Sequence, residues 1–171
     1  MNKLDLTARD WGIVAAGVAL LLDQGSKLLM LYALHFIDMA PRDNVAVLPF
    51  FNLVMVWNPG ISYGLFPANG MLGTAVLVLF TIAVVVFLGW WLWVSTRLAL
   101  TVGLGLIIGG ALGNLIDRLV HGKVADFFHF YGLGYDWYVF NVADAAITFG
   151  VIALLYDALL KPEVPAGNDG A

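Results

Sequence analysis

The sequence contains no cysteine and only three histidines among its 171 residues. Without a thiol the chain can form no disulfide and no Cys-ligated metal site, and it has no cysteine nucleophile. The histidines are scattered and form no H-E-x-x-H motif, so the ligands of a zinc protease are missing as well. We therefore expect a function that uses neither a metal nor a cofactor.

Charged residues are also scarce, at 12% of the chain against 61% hydrophobic residues. This composition is typical of integral membrane proteins. The net charge of -4 and the scattered basic residues argue against binding to nucleic acid. The chain is too short for several spans plus a soluble domain, so we expect one membrane domain over residues 1–161, monomeric and surrounded by membrane lipids. The polar segment 162–171, rich in Pro and Gly, is predicted to be a disordered cytoplasmic tail.

Four apolar stretches are long enough to cross a hydrocarbon core of about 30 Å. They cover residues 11–34, 71–94, 98–116 and 138–160. The sequence therefore predicts a membrane all-α bundle of four transmembrane helices.

Basic residues near the ends of these stretches indicate the orientation. Lys3 and Arg9 precede the first stretch, Arg97 fills the turn between the second and third, and Lys161 follows the fourth. By the positive-inside rule, both termini are expected in the cytoplasm. The loops on the opposite side of the membrane also hold two basic residues, Arg42 and Lys123, so the difference in positive charge between the two sides is small.

Two segments outside the spans complete the predicted fold. Residues 44–57 (NVAVLPFFNLVMVW) are rich in Val and Phe and predict one or two β-strands, which form a small outer β-cradle. Residues 121–137 are rich in Phe, Tyr and Trp, a composition typical of the boundary between membrane and water. We expect this second segment to be an interfacial loop at headgroup level.

Two aspartates in polar motifs are the candidate catalytic residues. Asp144 lies three residues after Asn141 at the start of the fourth span, and Asp126 lies in the preceding interfacial segment. If the two carboxylates share one site, one keeps a proton while the other is ionised, which suits acid and base catalysis by a water molecule. The alternative is an unrelated pair, one aspartate in a loop and one capping a helix.

Further polar side chains are spaced to share helix faces. Asn114, Asp117 and Arg118 lie on one face of the third span, and Asp23 and Lys27 are four residues apart in the first. Ionisable groups inside a membrane usually face a bundle interior or a wet cavity and are functional. A helix-end salt bridge between Asp117 and Arg118, and a purely structural ion pair between Asp23 and Lys27, are the alternatives.

Asn58 and the glycines of the third span each allow two interpretations. Asn58, in WNPGISYGLF, either supplies a positioned amide or simply initiates a turn. Gly105, Gly109 and Gly113 recur every four residues in the third span, which favours close helix packing over a phosphate site.

Together these motifs resemble the signal peptidase II family of bacterial intramembrane aspartyl proteases. The resemblance covers nearly the whole chain and rests on five motifs in order. They are LDQGSK with Asp23 and Lys27, WNPGISYGLF with Asn58 and Gly60, GGALGNLIDR with Asn114, Asp117 and Arg118, VADF with Asp126, and FNVADAAI with Asn141 and Asp144.

The resemblance implies that Asp126 and Asp144 form a catalytic dyad. It also implies a set of residues that line or brace the site, namely Asp23, Lys27, Asn58, Gly60, Asn114, Asp117, Arg118 and Asn141. The implied reaction removes the signal peptide from a diacylglyceryl-modified prolipoprotein by cutting before the lipidated cysteine. The implied location is the bacterial inner membrane, with both termini cytoplasmic and the active site near the outer face.

Two functions from other classes remain open on the residues alone. A small ion or proton carrier also places Asp, Asn and Arg inside the membrane, although the chain shows no internal repeat. In a structural membrane subunit, the same residues would act only as hydrogen-bonding contacts between helices.

Overall fold

The computed structural model describes residues 6–40, 43–60 and 70–159. The helices are α1 (Ala8–Leu28), α2 (Gly70–Val94), α3 (Leu98–His121) and α4 (Val142–Leu159), and the strands are β1 (Asn44–Leu48), β2 (Phe51–Asn58), β3 (Val124–Gly132) and β4 (Tyr135–Asp136). A π-helical turn, Leu29–Ala33, extends α1 and precedes a short 3-10 turn, Phe36–Asp38. The predicted tail and the basic residues Lys3 and Lys161 lie outside the described residues.

All four helices are long and apolar enough to cross a membrane. The predicted four-helix membrane bundle is thus confirmed, and the chain is a multi-pass membrane protein. The third helix runs to His121, five residues beyond the predicted end at 116, so it includes two polar site residues. The fourth begins at Val142 rather than at 138 because the preceding residues are extended, with Phe140 bridged to Phe128 of β3.

Helix α3 lies at the centre of the bundle and packs closely on α1 and α4. A Cβ atom added to Gly109 would lie 2.8 Å from the Cβ of Ala19 on α1. One added to Gly110, on the other side, would lie 2.9 Å from Cγ1 of Ile147 on α4. Both distances are too short for a real side chain. The structure thus agrees with the packing role predicted for the glycine repeat at Gly109, and Gly110, outside the repeat, packs in the same way.

Polar contacts connect the helices at the end of the bundle away from the sheet. The Arg97 guanidinium, at the start of α3, lies 2.8 Å from the Asp157 carboxylate on α4. The Thr101 hydroxyl donates to the carbonyl of Ala8, at the start of α1, over 2.6 Å. Three helix termini are therefore fixed to one another at this end.

The four strands form one antiparallel sheet in the order β1-β2-β3-β4 at the other end of the bundle. Strands β1 and β2 confirm the strands predicted in residues 44–57. The segment 121–137, predicted to be a loop, instead contains β3 and β4. Its aromatic residues suit a strand because they pack against β2, as Phe130 does against Phe51 with 4.7 Å between ring centroids.

Strand β3 passes directly from α3 into the sheet. Gly122 ends α3 with φ of +71, a left-handed conformation that glycine adopts at little cost. The first four residues of β3 are buried, and Phe127 packs with Met30 and Phe36, which follow α1. This small core fixes the sheet on the ends of α1 and α3, where α2 and α4 begin.

Candidate active site

Asp126 lies in β3, opposite Val56 of β2, with only 1% of its surface exposed. Its Oδ2 accepts a hydrogen bond from Nδ2 of Asn58, at the end of β2, over 3.0 Å. Its Oδ1 accepts one from Nδ2 of Asn141, just before α4, over 2.6 Å. Two amides from different elements therefore hold this carboxylate.

Asp144 lies in the first turn of α4 and is part of a reciprocal cap. The backbone N–H of Asp144 donates to Oδ1 of Asn141 over 3.0 Å, and the backbone N–H of Asn141 donates to Oδ2 of Asp144 over 3.3 Å. This is the arrangement of a capping box, with Asn and Asp in the two capping positions. Nδ2 of Asn114, on α3, donates to the remaining oxygen, Oδ1, over 3.0 Å.

Asn141 joins the two aspartates, since its side chain donates to Asp126 and its backbone N–H donates to Asp144. Each of the four carboxylate oxygens thus accepts a hydrogen bond from an N–H group, which fixes both carboxylates in orientation. The structure therefore brings the candidate pair together through one shared neighbour, in contrast to the alternative of two unrelated aspartates.

The surroundings of Asp126 favour its protonated form. Burial raises its pKa to about 7, and the negative charge of Asp144 contributes to the rise. The hydrogen bonds from Asn58 and Asn141 and the positive charge of Lys27 oppose it. Because this pKa lies near neutral pH, the site holds a proton at pH values where an exposed aspartate is fully ionised.

Asn58, Gly60 and Arg118 form one chain of contacts beside the pair. Oδ1 of Asn58 accepts from the backbone N–H of Gly60 over 3.0 Å, and the carbonyl of Gly60 accepts from Nη2 of Arg118 over 2.7 Å. Asn58 therefore both shapes the turn and positions Asp126, so its two predicted roles coexist. Nη1 of Arg118 donates to the carbonyl of Asn114 over 3.2 Å, while its buried Nε has no partner among the described residues.

Of the two ion pairs considered from the sequence, the structure contains Asp23 with Lys27, whereas Asp117 has a different partner from the one considered. Asp117 pairs with Lys27 of α1 at 2.9 Å, whereas Arg118 donates to carbonyl groups. The predicted pairing of Lys27 with Asp23 is present at 2.8 Å, and Asp23 is fully buried. The side chains predicted on α1 and α3 therefore meet in a single buried cluster.

Gln24 belongs to the same cluster, although the sequence analysis did not identify it. Its Nε2 donates to Oδ2 of Asp23 over 3.1 Å and to the carbonyl of Gly113 over 3.3 Å. Its position directly after Asp23, inside LDQGSK, was the available signal.

A cavity of about 400 Å³ between α2, α3 and α4 reaches the site. At its polar end it is lined by Asn114, Arg118 and Asp144, and deeper in the bundle by apolar residues that include Phe80 and Ile147. A larger cavity of about 750 Å³ lies on the far side of Arg118, and its described lining includes neither aspartate of the pair. Of these two cavities, the smaller one therefore connects apolar space to the Asp144 carboxylate.

Within the described ranges, no three His, Asp or Glu side chains are placed to hold a metal ion together. The chemistry that this geometry offers is that of two carboxylates, three amides and one guanidinium.

Known proteins resemble this chain in both sequence and structure. The family model described as Signal peptidase (SPase) II matches residues 15–160. A lipoprotein signal peptidase of Nitrobacter hamburgensis is 52% identical over 155 residues, 88% of this chain and 92% of the relative. One of Rhodopseudomonas palustris is 49% identical over 160 residues, 91% of this chain and 96% of the relative.

Among solved structures, a bacterial membrane enzyme determined by the in meso method at 2.3 Å superposes with a TM-score of 0.76. It is 29% identical, and the match covers 94% of this chain and 93% of that one. These matches extend over the helices, the sheet and the polar cluster described above. The chain belongs to the signal peptidase II family of aspartyl proteases.

Proposed function

We propose that this enzyme removes the signal peptide from diacylglyceryl-modified prolipoproteins by cutting before the lipidated cysteine. Support comes from the relatives named lipoprotein signal peptidase and from the largely apolar cavity that reaches the Asp144 carboxylate. Family membership favours this function over the ion carrier and the structural subunit considered from sequence.

One observation carries the proposed mechanism: Asp126 and Asp144 both accept hydrogen bonds from Asn141, at 2.6 and 3.3 Å. Two neighbouring carboxylates share one proton because two negative charges in a buried site repel each other. The ionised member takes a proton from water while the protonated member polarises the scissile carbonyl. We treat the pair as one titrating unit and assign the proton to neither member alone.

The remaining polar groups would orient the substrate and balance charge. Arg118 lines the same cavity as Asp144, and its Nε has no partner among the described residues, so its guanidinium suits a carbonyl oxygen of the substrate, where negative charge develops. The apolar part of the cavity suits side chains of the signal peptide within the membrane. Both the peptide and its lipid group would then approach from the bilayer.

We further propose that the sheet end of the bundle faces outward and that both termini are cytoplasmic. The proposal follows the basic residues Arg9 and Arg97 at the other end. A dyad at the outer end of the helices would lie close to water and to the membrane surface, where the cleavage site of an exported lipoprotein lies.

The test is cleavage of a diacylated prolipoprotein in detergent, followed by mass spectrometry of the products. We expect Asp126→Asn and Asp144→Asn each to lower kcat by a factor of about 1000 or more, because neither carboxylate can perform both proton transfers. Asp136→Asn, an exposed aspartate on β4, is the matched control and should cleave like the wild type. Full activity in either dyad variant would disprove the mechanism.

A further inference from the structure

Lys27 is a buried charge that the proposed mechanism does not use. Only 2% of its surface is exposed, and its Nζ donates to Oδ2 of Asp23 at 2.8 Å and to Oδ1 of Asn114 at 3.2 Å. It also forms an ion pair with Oδ2 of Asp117 at 2.9 Å. Three oxygen atoms thus surround an ammonium group that carries three N–H donors. Burying an ion costs free energy, and removing one partner of a buried pair is strongly destabilising.

The two carboxylates bound by Lys27 each hold the backbone next to a dyad residue. Oδ2 of Asp117 accepts from the backbone N–H of Ala125 over 3.0 Å, and Ala125 directly precedes the β3 member of the dyad. Oδ1 of Asp23 accepts from the backbone N–H of Ala143 over 2.9 Å, and Ala143 directly precedes the α4 member. In both cases a carboxylate bound to Lys27 accepts from the backbone N–H of the residue just before a dyad member, once on β3 and once on α4.

We propose that Lys27 is a positioning residue that sets the separation of the two catalytic carboxylates. By binding Asp23 and Asp117 with one ammonium group, it connects the backbone of β3 to the first turn of α4. Asn114, its third acceptor, also donates to Asp144 over 3.0 Å, which adds a direct path to the dyad. This inference rests on the proposed function, because it assigns a role relative to that dyad.

The same charge acts on the dyad through space. The positive charge of Lys27 lowers the pKa of Asp126. The charges of Lys27, on α1, and Asp144, on α4, act on Asp126. The guanidinium of Arg118, on α3, interacts electrostatically with both dyad carboxylates, and Asp23 and Asp117 are ion-paired with Lys27. Removing Lys27 therefore changes the protonation of the dyad as well as its geometry, and the two effects can be measured separately.

The first test is Lys27→Met, assayed from pH 5 to 9 on a diacylated prolipoprotein in detergent. We expect kcat to fall by about 100-fold with KM within about threefold, because a displacement of about 1 Å costs that much in rate. We also expect the alkaline limb of the pH profile to move upward by on the order of one unit, since a stabilising positive charge has been lost. Wild-type kcat and an unmoved limb would overturn the inference.

Two further variants separate the effect of Lys27 on the position of the carboxylates from the effect of its charge. The first of them also tests the inference if Lys27→Met does not fold. Asp117→Asn keeps the shape and the lysine, and should lower kcat about tenfold while moving the alkaline limb downward, since less negative charge faces Asp126. In the wild type, Asp23, Asp117 and Lys27 together carry a net charge of -1, from two carboxylates and one ammonium group. Lys27→Met combined with Asp117→Asn keeps only the Asp23 carboxylate, so the net charge stays at -1. This double variant should recover the wild-type limb but not the wild-type kcat.

Recovery of wild-type kcat in the double variant would show that Lys27 acts through charge alone, which overturns the positioning role. Lys123→Met, an exposed lysine after α3, is the matched control and should behave as wild type. Asp126→Asn and Asp144→Asn are run in parallel. If they retain activity, the proposed mechanism fails; if they are inactive while the Lys27 variants are normal, only this inference fails.

Discussion

At the scale of single residues, the candidate site surrounds two carboxylates with amide donors. Asn58, Asn114 and Asn141 donate to the dyad from three different elements. A hydrogen bond from a neutral amide stabilises the ionised carboxylate and lowers its pKa, without the full positive charge that a lysine or arginine would add. The hydrogen bonds from Asn58 and Asn141 therefore oppose the effect of burial and keep the pKa of Asp126 at about 7, where the pair suits both proton transfers of the proposed mechanism.

Replacing Asn58 should change the pH dependence of cleavage in a known direction. The pKa of Asp126 is raised from its ordinary value of 3.8 to about 7, so the pair loses its shared proton as pH rises through about 7, and we expect the alkaline limb of kcat to report that loss. The Asn58 hydrogen bond lowers this pKa. We expect Asn58→Ala to move the alkaline limb to higher pH, by on the order of one unit, in a pH profile of kcat.

Asn52→Ala is the matched control for that experiment. Asn52 lies on the same strand, but its Oδ1 accepts from the hydroxyl of Tyr131, away from the dyad. Its alkaline limb should equal that of the wild type. A folded Asn58→Ala enzyme with an unmoved limb would contradict the assigned hydrogen bond.

At the scale of elements, the dyad depends on how closely α3 approaches its neighbours. Gly113 places its backbone directly against the Asp23 carboxylate, where a Cβ atom would overlap Oδ2. That carboxylate in turn holds the N–H of Ala143 at the start of α4. Small residues on α3 therefore serve the active site as well as helix packing.

Gly109→Ala tests this packing one turn away from the site. Its new Cβ would overlap the carbonyl of Ala16 and lie 2.8 Å from Cβ of Ala19. Overpacking of this kind costs about 1–3 kcal/mol, so we expect a lower thermal unfolding midpoint, measured by tryptophan fluorescence in detergent. Gly89→Ala, on α2 with no atom within 4 Å, should unfold at or slightly above the wild-type midpoint. Equal midpoints for the two variants would contradict the close approach.

The helices and the polar residues that meet at the candidate site could be predicted from sequence because each depends on local patterns, while the catalytic role of the two aspartates stays a prediction. Long apolar stretches predict spans, and polar residues inside them stand out. The strand that carries Asp126 was missed because its aromatic residues suit both a strand and an interfacial loop. Only the pairing with β2, opposite Val56, distinguishes the two. That the segment lies at headgroup level stays a prediction.

The connections within the site could not be predicted, because they join residues far apart in the chain. Asp23 binds the backbone of Ala143, 120 residues later, and Lys27 binds Asp117 of another helix. Helical spacing shows which residues share a face but not which face meets which helix. Spacing alone therefore left the partners of Asp117 and Arg118 undecided.

At the scale of the whole molecule, the two ends of the bundle have different tasks. The sheet end holds the dyad, its amides and the cavity, whereas the other end holds the contact of Arg97 with Asp157 that fixes helix termini. Charge is distributed accordingly, with Arg9 beside Trp93 at the second end, 5.6 Å from the ring centroid. A basic and aromatic end is typical of the cytoplasmic boundary of a membrane.

The absence of cysteine makes this orientation directly testable, since any introduced thiol is the only one in the chain. Leu133, between β3 and β4, is fully exposed, and Thr96, between α2 and α3, is exposed at the opposite end. We expect a membrane-impermeant maleimide to label Leu133→Cys in intact spheroplasts and Thr96→Cys only after permeabilisation. A permeant maleimide, which should label both, controls for reactivity. The reverse pattern would place the dyad on the cytoplasmic side, where the signal peptide of an exported lipoprotein could not be cut at its outer end.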